Sequence, residues 1–259
     1  MSILEKEGKY IYCVIGTKQE RNFGPIGIGG RNDEVLTVGH DDLSMVVSNH
    51  PMGRFVVNRE NMLAHQKVIE EVMKEFDSVL PVRFGTLASN ADEIRNLLDR
   101  RGREFKNALK DMDHKVEVGV KAIWKNMYAI FKEIARENKM IKDAKENIQN
   151  HKGKKDIQDG VELGRMVEQA LGKKKEESAE EIINILKRLA VDYRLNNNMS
   201  EEMFMNASFL ISKAREKEFD NIMDDLSERR KEKVKFLYAG PLPVFNFVNL
   251  AIYPEEWEK

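Results

Sequence analysis

Residues 236–250, FLYAGPLPVFNFVNL, form the densest apolar stretch of the chain, and Pro241 and Pro243 divide it. Sequence this rich in large apolar side chains does not stay disordered, and a membrane span needs about 20 such residues without a break. Proline fixes φ near about −65° and offers no N–H to a ladder, so the run reads as two strand segments, 234–240 and 245–253, separated by a rigid kink that ends pairing. Period-two alternation puts Phe236 and Tyr238 on one face before the bend, and Phe245 and Phe247 on one face after it. So apolar a strand is expected to be buried on both faces, or on one face plus a partner, and to pair near the middle of its sheet. A fold with such a strand must bring a sheet to meet it.

That sheet is written in the first half. YIYCVI (10–15) is a β-branched and aromatic run that reads as a buried strand. EVLTVGHDDLSMVVSNH (34–50) gives two short strands, 34–39 and 43–48, around His40, Asp41 and Asp42. Met62, Val68, Ile69, Val72, Met73 and Phe76 follow helical spacing between Asn58 and Phe76. Pro81 precedes a short strand VRF that ends at Gly85, and a second helix spans 90–112 with Asn90 or Asp92 as its N-cap. HKVEVGVKAIW (114–124) alternates Val116, Val118 and Val120 with charged or small neighbours, a half-exposed strand. The order β-β-β-α-β-α-β predicts an α+β sandwich close to the ferredoxin-like arrangement, with its helices on one face of an antiparallel sheet.

The second half changes character. Long helical patterns fill 124–150 and 157–190, with a polar hinge at 151–160 and GKKKEES (172–178) as an exposed helical turn. MFMNASFLIS (203–212) reads as a strand and FDNIMDDLSER (219–229) as a helix with Phe219, Ile222, Met223 and Leu226 on one face. The fold class expected is therefore α+β in two lobes. Residues 1–124 form an N-terminal ferredoxin-like domain, and residues 125–259 form a helix-rich α+β domain.

Composition excludes several classes of function. Lys+Arg 43 against Asp+Glu 44 leaves a net charge of −1, with no global pull toward nucleic acid or anionic lipid. The basic runs near residues 154 and 174 have acids beside them, as solvated faces do. A single cysteine, Cys13, fits a reducing cytoplasm, and charges near the N-terminus replace the apolar core of a signal peptide.

Few residues invite chemistry. GPIGIGG (24–30) lacks the strand before and the helix after that a phosphate-binding loop needs. No two of His40, His50, His65, His114 and His151 stand at helical metal spacing, so no metal is expected. His65 reads as hydrogen-bonded to a neighbouring strand or loop. Cys13, with no base nearby, reads as a small buried hydrophobe. Arg83 alternates with Val82 and Phe84, and needs either a carboxylate or carbonyl partner or a contact with another protein.

Two segments carry a resemblance. VLPVRFGTLASNADEIRNLL (79–98) resembles the "LP-RFGT" segment of the gas vesicle accessory family GvpF/GvpL, and FLYAGPLPVFNFV (236–248) resembles its C-terminal "GP-PPY-F" signature. YIYCVI, DDLSMVVS (41–48), AHQKVIEEV (64–72) and LAVDYR (189–194) match in the same order, so the likeness covers essentially the whole chain. The chain departs from the family pattern at Leu242, Val244 and Phe245, where an aromatic, a proline and a tyrosine are usual; the GP-x-P kink and the apolar character survive, but no role of a tryptophan or a tyrosine hydroxyl carries over.

The resemblance implies two α+β lobes, no catalysis and no cofactor. It also implies a cytoplasmic, gas-vesicle-associated role in assembly through contact with the small hydrophobic shell protein GvpA and with other accessory proteins. Protein-binding residues are expected at Arg83, Phe84 and Gly85 and at Gly240, Pro241, Leu242, Pro243 and Phe245. The competing reading is a small-molecule-binding regulator or enzyme, with a site between the lobes using Arg83 and His65. The absence of an acid–base pair, nucleophile motif or metal cluster in the sequence favours the assembly role.

Overall fold

The computed structural model describes residues 7–52, 57–150, 157–250 and 252. It is a mixed α+β protein with two sheets. The chain divides into two compact units: Met1–Glu117 with Leu210–Ala214 and Gly240–Lys259, and Val118–Phe209 with Arg215–Ala239.

The first sheet contains β1 (Glu7–Ile15), β2 (Leu36–His40), β3 (Leu43–Pro51) and β4 (Val79–Pro81) in the order β2-β3-β1-β4, with β5 (Leu87–Ala88) also paired to β1. Every pairing is antiparallel. Two helices cover it, α1 (Arg59–Met73) and α2 (Ala91–Asp111). Asn58 caps α1 by accepting the Asn61 N–H at 2.8 Å, and Asn90 caps α2 by accepting the Glu93 N–H at 2.9 Å.

The sequence pattern predicts both helices on one face of the sheet; in the structure each takes its own face. Ile94, Leu97, Phe105 and Leu109 of α2 pack with Ile11, Val14 and Met45. Val68, Ile69 and Val72 of α1 pack with Tyr10, Tyr12, Cys13 and Ile15. This explains why residues 10–15 are all fully buried: a strand covered on both faces is apolar throughout instead of alternating.

A bulge adjusts the phase of β1. Ile11 pairs with Val47 and Cys13 with Val46, so Tyr12 is an extra residue with no partner of its own. Tyr10, Tyr12, Cys13 and Ile15 consequently all serve the α1 layer. The Tyr12 hydroxyl lies 2.8 Å from Ser48 Oγ and accepts the Ile28 N–H at 2.8 Å. The glycine-rich loop 24–30 is thereby tied down on the sheet, with Ile28 fully buried.

The strand expected at 82–84 is absent. Tyr12 O accepts the Val82 N–H and Thr86 O accepts the Ile11 N–H, so Val82–Thr86 is a loop that leaves the sheet between β4 and β5. Gly85 turns it with a φ of 85°, a region that favours glycine.

The second sheet has the order β7-β8-β6-β9, from β6 (Lys115–Trp124), β7 (Ala190–Leu195), β8 (Met203–Ser212) and β9 (Val234–Leu242). Its helices are α3 (Met127–Glu137), α4 (Lys139–Asn150), α5 (Ile157–Leu186) and α6 (Glu216–Arg230), with a 3-10 turn at Lys213–Arg215 before α6. The expected long helix 124–150 is two helices. Asn138 ends α3 and its side chain accepts the Met140 and Ile141 N–H groups that open α4. GKKKEES lies inside α5, as expected. Of the expected hinge, 151–156 fall outside the described residues and 157–160 are the first turn of α5.

β9 corrects the reading of the apolar run. It is an edge strand with alternating burial, and it continues through Gly240 and Pro241 to Leu242. An edge tolerates proline because one side of the strand needs no ladder donor. Residues 245–250 are not a strand but a turn and an irregular segment, and Leu250 reaches the core around Ile11 and Phe105. Glu117, which alternation assigns to solvent, is buried instead. Its carboxylate accepts the Asn246 N–H at 2.9 Å and the Asn246 amide at 2.6 Å, which holds this turn in place.

Candidate functional site

The loop Val82–Thr86, the start of α1 and the segment after β9 surround a cavity of about 770 Å3. Met62, Leu63 and Gln66 of α1 line one side, Arg83 and Phe84 another, and Phe245 and Val248 a third. Much of this lining is both apolar and open to solvent. Val57 is 74% exposed, Met62 52%, Leu63 55% and Phe245 39%.

At the back of the groove lies His65, 2% exposed. Its Nε2 is 3.2 Å from the Val82 carbonyl oxygen, which can only accept, so Nε2 carries the proton. Nδ1 therefore accepts the Tyr10 hydroxyl at 2.9 Å, and that hydroxyl accepts the Gly85 N–H at 3.0 Å. The relay needs a neutral imidazole. Burial lowers the His65 pKa to about 4, against the weaker upward pull of its bond to Val82. Burial likewise raises the pKa of Tyr10 and of the Cys13 thiol, so neither ionises readily. The His65 ring makes edge contact with Phe84 at 5.6 Å and lies 6.1 Å from Phe245.

The two motifs singled out in the sequence thus meet in one place, through Arg83, Phe84 and Phe245. Gly85 does not line the groove but shapes it, through its turn and its bond to Tyr10. Gly240, Pro241, Leu242 and Pro243 lie outside the lining, at and beyond the end of β9. Arg83 is exposed at the rim and forms no ion pair among the described residues. Leu63 and Val248 are wall residues that sequence reasoning missed. For Leu63 the signal was present, because it is a large apolar residue off the Val68–Ile69–Val72 stripe. Val248 gave none, since its place depends on a turn that the strand pattern of 245–253 obscures.

His40 pairs with Asp99 at 3.4 Å, and His50 Nδ1 lies 2.8 Å from the Pro51 carbonyl. Among the described residues no group of three His, Cys, Asp or Glu side chains is arranged to hold a metal ion. Among them, too, no helix is long and apolar enough to cross a membrane.

By fold, the chain is an α+β protein of the kind seen in solved gas vesicle proteins. The crystal structure of GvpF from Anabaena sp. PCC7120 matches with a TM-score of 0.80 at 21% identity, over 95% of this chain and 100% of that one. GvpF from Microcystis aeruginosa matches with a TM-score of 0.78 at 20% identity, over 94% and 99%. In sequence, gas vesicle protein F1 of Halobacterium salinarum is 25% identical over 96% of this chain and 97% of its own length. Gas vesicle protein F of Dolichospermum flosaquae is 25% identical over 81% and 85%. The family model described as gas vesicle synthesis protein GvpL/GvpF matches residues 8–249, and the chain belongs to that family. Its role is that of a gas vesicle accessory protein.

Proposed function

We propose that the chain is a non-enzymatic, cytoplasmic assembly factor that holds the shell protein GvpA through the groove between α1, the Val82–Thr86 loop and the segment after β9. The observation that carries this reading is the exposed apolar wall of Val57, Met62, Leu63 and Phe245 around one cavity. A soluble protein keeps contiguous apolar surface in the open when a partner covers it. A shell subunit with a face destined for gas aggregates until that face is covered, and this groove offers the cover while the charged exterior keeps the complex dissolved. The regulator or enzyme reading rests on Arg83 and His65, and both His65 nitrogens are already engaged.

Co-expression tests the proposal. The chain should keep GvpA in the soluble fraction and co-purify with it, and Leu63→Asp should abolish both effects. Leu63 is exposed, so its replacement should change stability by no more than about 0.5 kcal/mol. Equal aggregation of GvpA with and without the chain would reject the role; unchanged capture by Leu63→Asp would reject the groove.

A further inference from the structure

The second sheet ends at β7, AVDYRL, and among the described residues no strand pairs with its outer side. The Asn196 N–H bonds Asn206 O of β8 at 2.8 Å. Counting back by twos, the backbone groups of Arg194 and Asp192 face β8, while those of Val191, Tyr193 and Leu195 face outward. The bonding of Tyr193 agrees: its N–H is taken by the neighbouring Asp192 Oδ1 at 2.8 Å instead of by a strand. The side chains on this edge are open as well, with Val191 60%, Tyr193 37% and Leu195 63% exposed. An edge of this kind is a template for another strand.

We propose that β7 pairs antiparallel with β7 of a second copy of this chain, about a two-fold axis through Tyr193. The segment Val-Asp-Tyr-Arg-Leu is complementary to its own reversal. Centred on Tyr193, Val191 lies opposite Leu195 of the second copy, Tyr193 opposite Tyr193, and Asp192 opposite Arg194. Both cross-strand charge pairs are attractive, and the three apolar positions meet apolar positions. Sliding the register by two residues in one direction sets Asp192 against Asp192, and in the other Arg194 against Arg194. Parallel pairing sets like charges side by side. Charge thus selects one register, and a two-fold interface uses the same patch on both copies.

Pairing exchanges bonds more than it adds strain. Within one chain, Asp192 already holds both the Tyr193 N–H and Arg194, the latter at 3.1 Å. On pairing, the Tyr193 N–H passes to the carbonyl of the other Tyr193, and Asp192 turns to the arginine across the strand. The outward groups of Val191 and Leu195 gain ladder partners in the same step. A six-residue strand is a small contact, below the roughly 1,200 Å2 of stable complexes, so the association is weak and depends on concentration.

Sedimentation equilibrium on the full chain tests this. The average mass should rise with concentration from one chain toward two. Arg194→Asp, which opposes Asp192 of the other copy, should weaken association about tenfold. The swap Asp192→Arg with Arg194→Asp should restore it. Under oxidant Tyr193→Cys should link two chains, because residues facing each other across the axis stand at disulfide distance. Val191→Cys faces position 195 and should not link, and the buried Cys13 gives no background. Thermal melts establish that each variant is folded. A folded chain of single mass at every concentration would overturn the proposal. So would a dimer that ignores Arg194→Asp and is not captured by Tyr193→Cys. Stronger association in Asp192→Asn would also overturn it, by showing that Asp192 serves to keep the edge closed.

Discussion

β1 and β9 are comparable in sequence and opposite in circumstance. Both are nine residues long and carry aromatic and aliphatic side chains in quantity. Residues 10–15 of β1 have no exposure at all, because helices lie over both faces and strands lie on both sides. β9 sits at the edge of its sheet, with Lys235, Leu237 and Ala239 turned to solvent. What separates the two is period: β1 has no charged residue from 10 to 15, whereas β9 has a lysine at its second position and two small residues before its proline. Apolar density tells how much a segment can bury; the spacing of its polar residues tells how many of its faces do so.

Matched truncations make this contrast measurable. Ile11→Ala should lower unfolding free energy by about 4 kcal/mol, since it opens a cavity among Val14, Met45 and Phe105. Leu237→Ala, at 43% exposure, should cost less than about 1 kcal/mol. Denaturant titrations of the two variants check both, and equal losses would break the comparison.

Acid should act on the β1 side through His65. Its pKa falls from 6.5 in the unfolded chain to about 4 in the folded one, a difference worth about 3 kcal/mol. Because the folded value is the lower, this stability is fully present above pH 6.5 and is lost as pH falls from 6.5 through 4. Stability measured against pH for the native chain and for His65→Gln should show a shallower slope for the variant in that window. Identical slopes would mean that the imidazole is not held neutral.

The smallest expected difference concerns two tyrosine hydroxyls. Tyr10→Phe strands the Gly85 N–H and the His65 Nδ1 away from water and should cost about 2–3 kcal/mol. Tyr238 donates to the Asp220 carboxylate at 2.6 Å, where water can take over, so Tyr238→Phe should cost less than about 1 kcal/mol. Thermal melts of the pair would sharpen the comparison or remove it.

Most elements were legible from local pattern. The β1 run, the two short strands after it, the Asn90 cap (one of two candidates) and the α6 stripe of Phe219, Met223 and Leu226 follow from periodicity and capping chemistry alone. Features that depend on distant residues were not. Glu117 looks solvated until Asn246 is brought to it. VRF looks like a strand until Tyr12 and Thr86 fix the ends of a loop. The strand β7 (Ala190–Leu195) alternates Val191, Tyr193 and Leu195 with Asp192 and Arg194, yet it follows so closely on the helical pattern of 157–190 that the short alternation is hidden behind it. For the groove, Arg83, Phe84 and Phe245 were marked in advance, but as two separate motifs; that they form one wall is a property of the fold.

The placement of Val248 and Leu250 has a consequence for how the protein is made. These residues belong to the same compact unit as β1, yet the chain visits the whole of Val118–Phe209 before reaching them. On the ribosome, the first sheet and its two helices emerge early, and the third side of the groove follows on the order of ten seconds later at ordinary rates of translation. Until then His65 and Phe84 lack their neighbour Phe245. The nascent chain therefore carries an unfinished groove, and the partner binding proposed for it would be a property of the completed polypeptide.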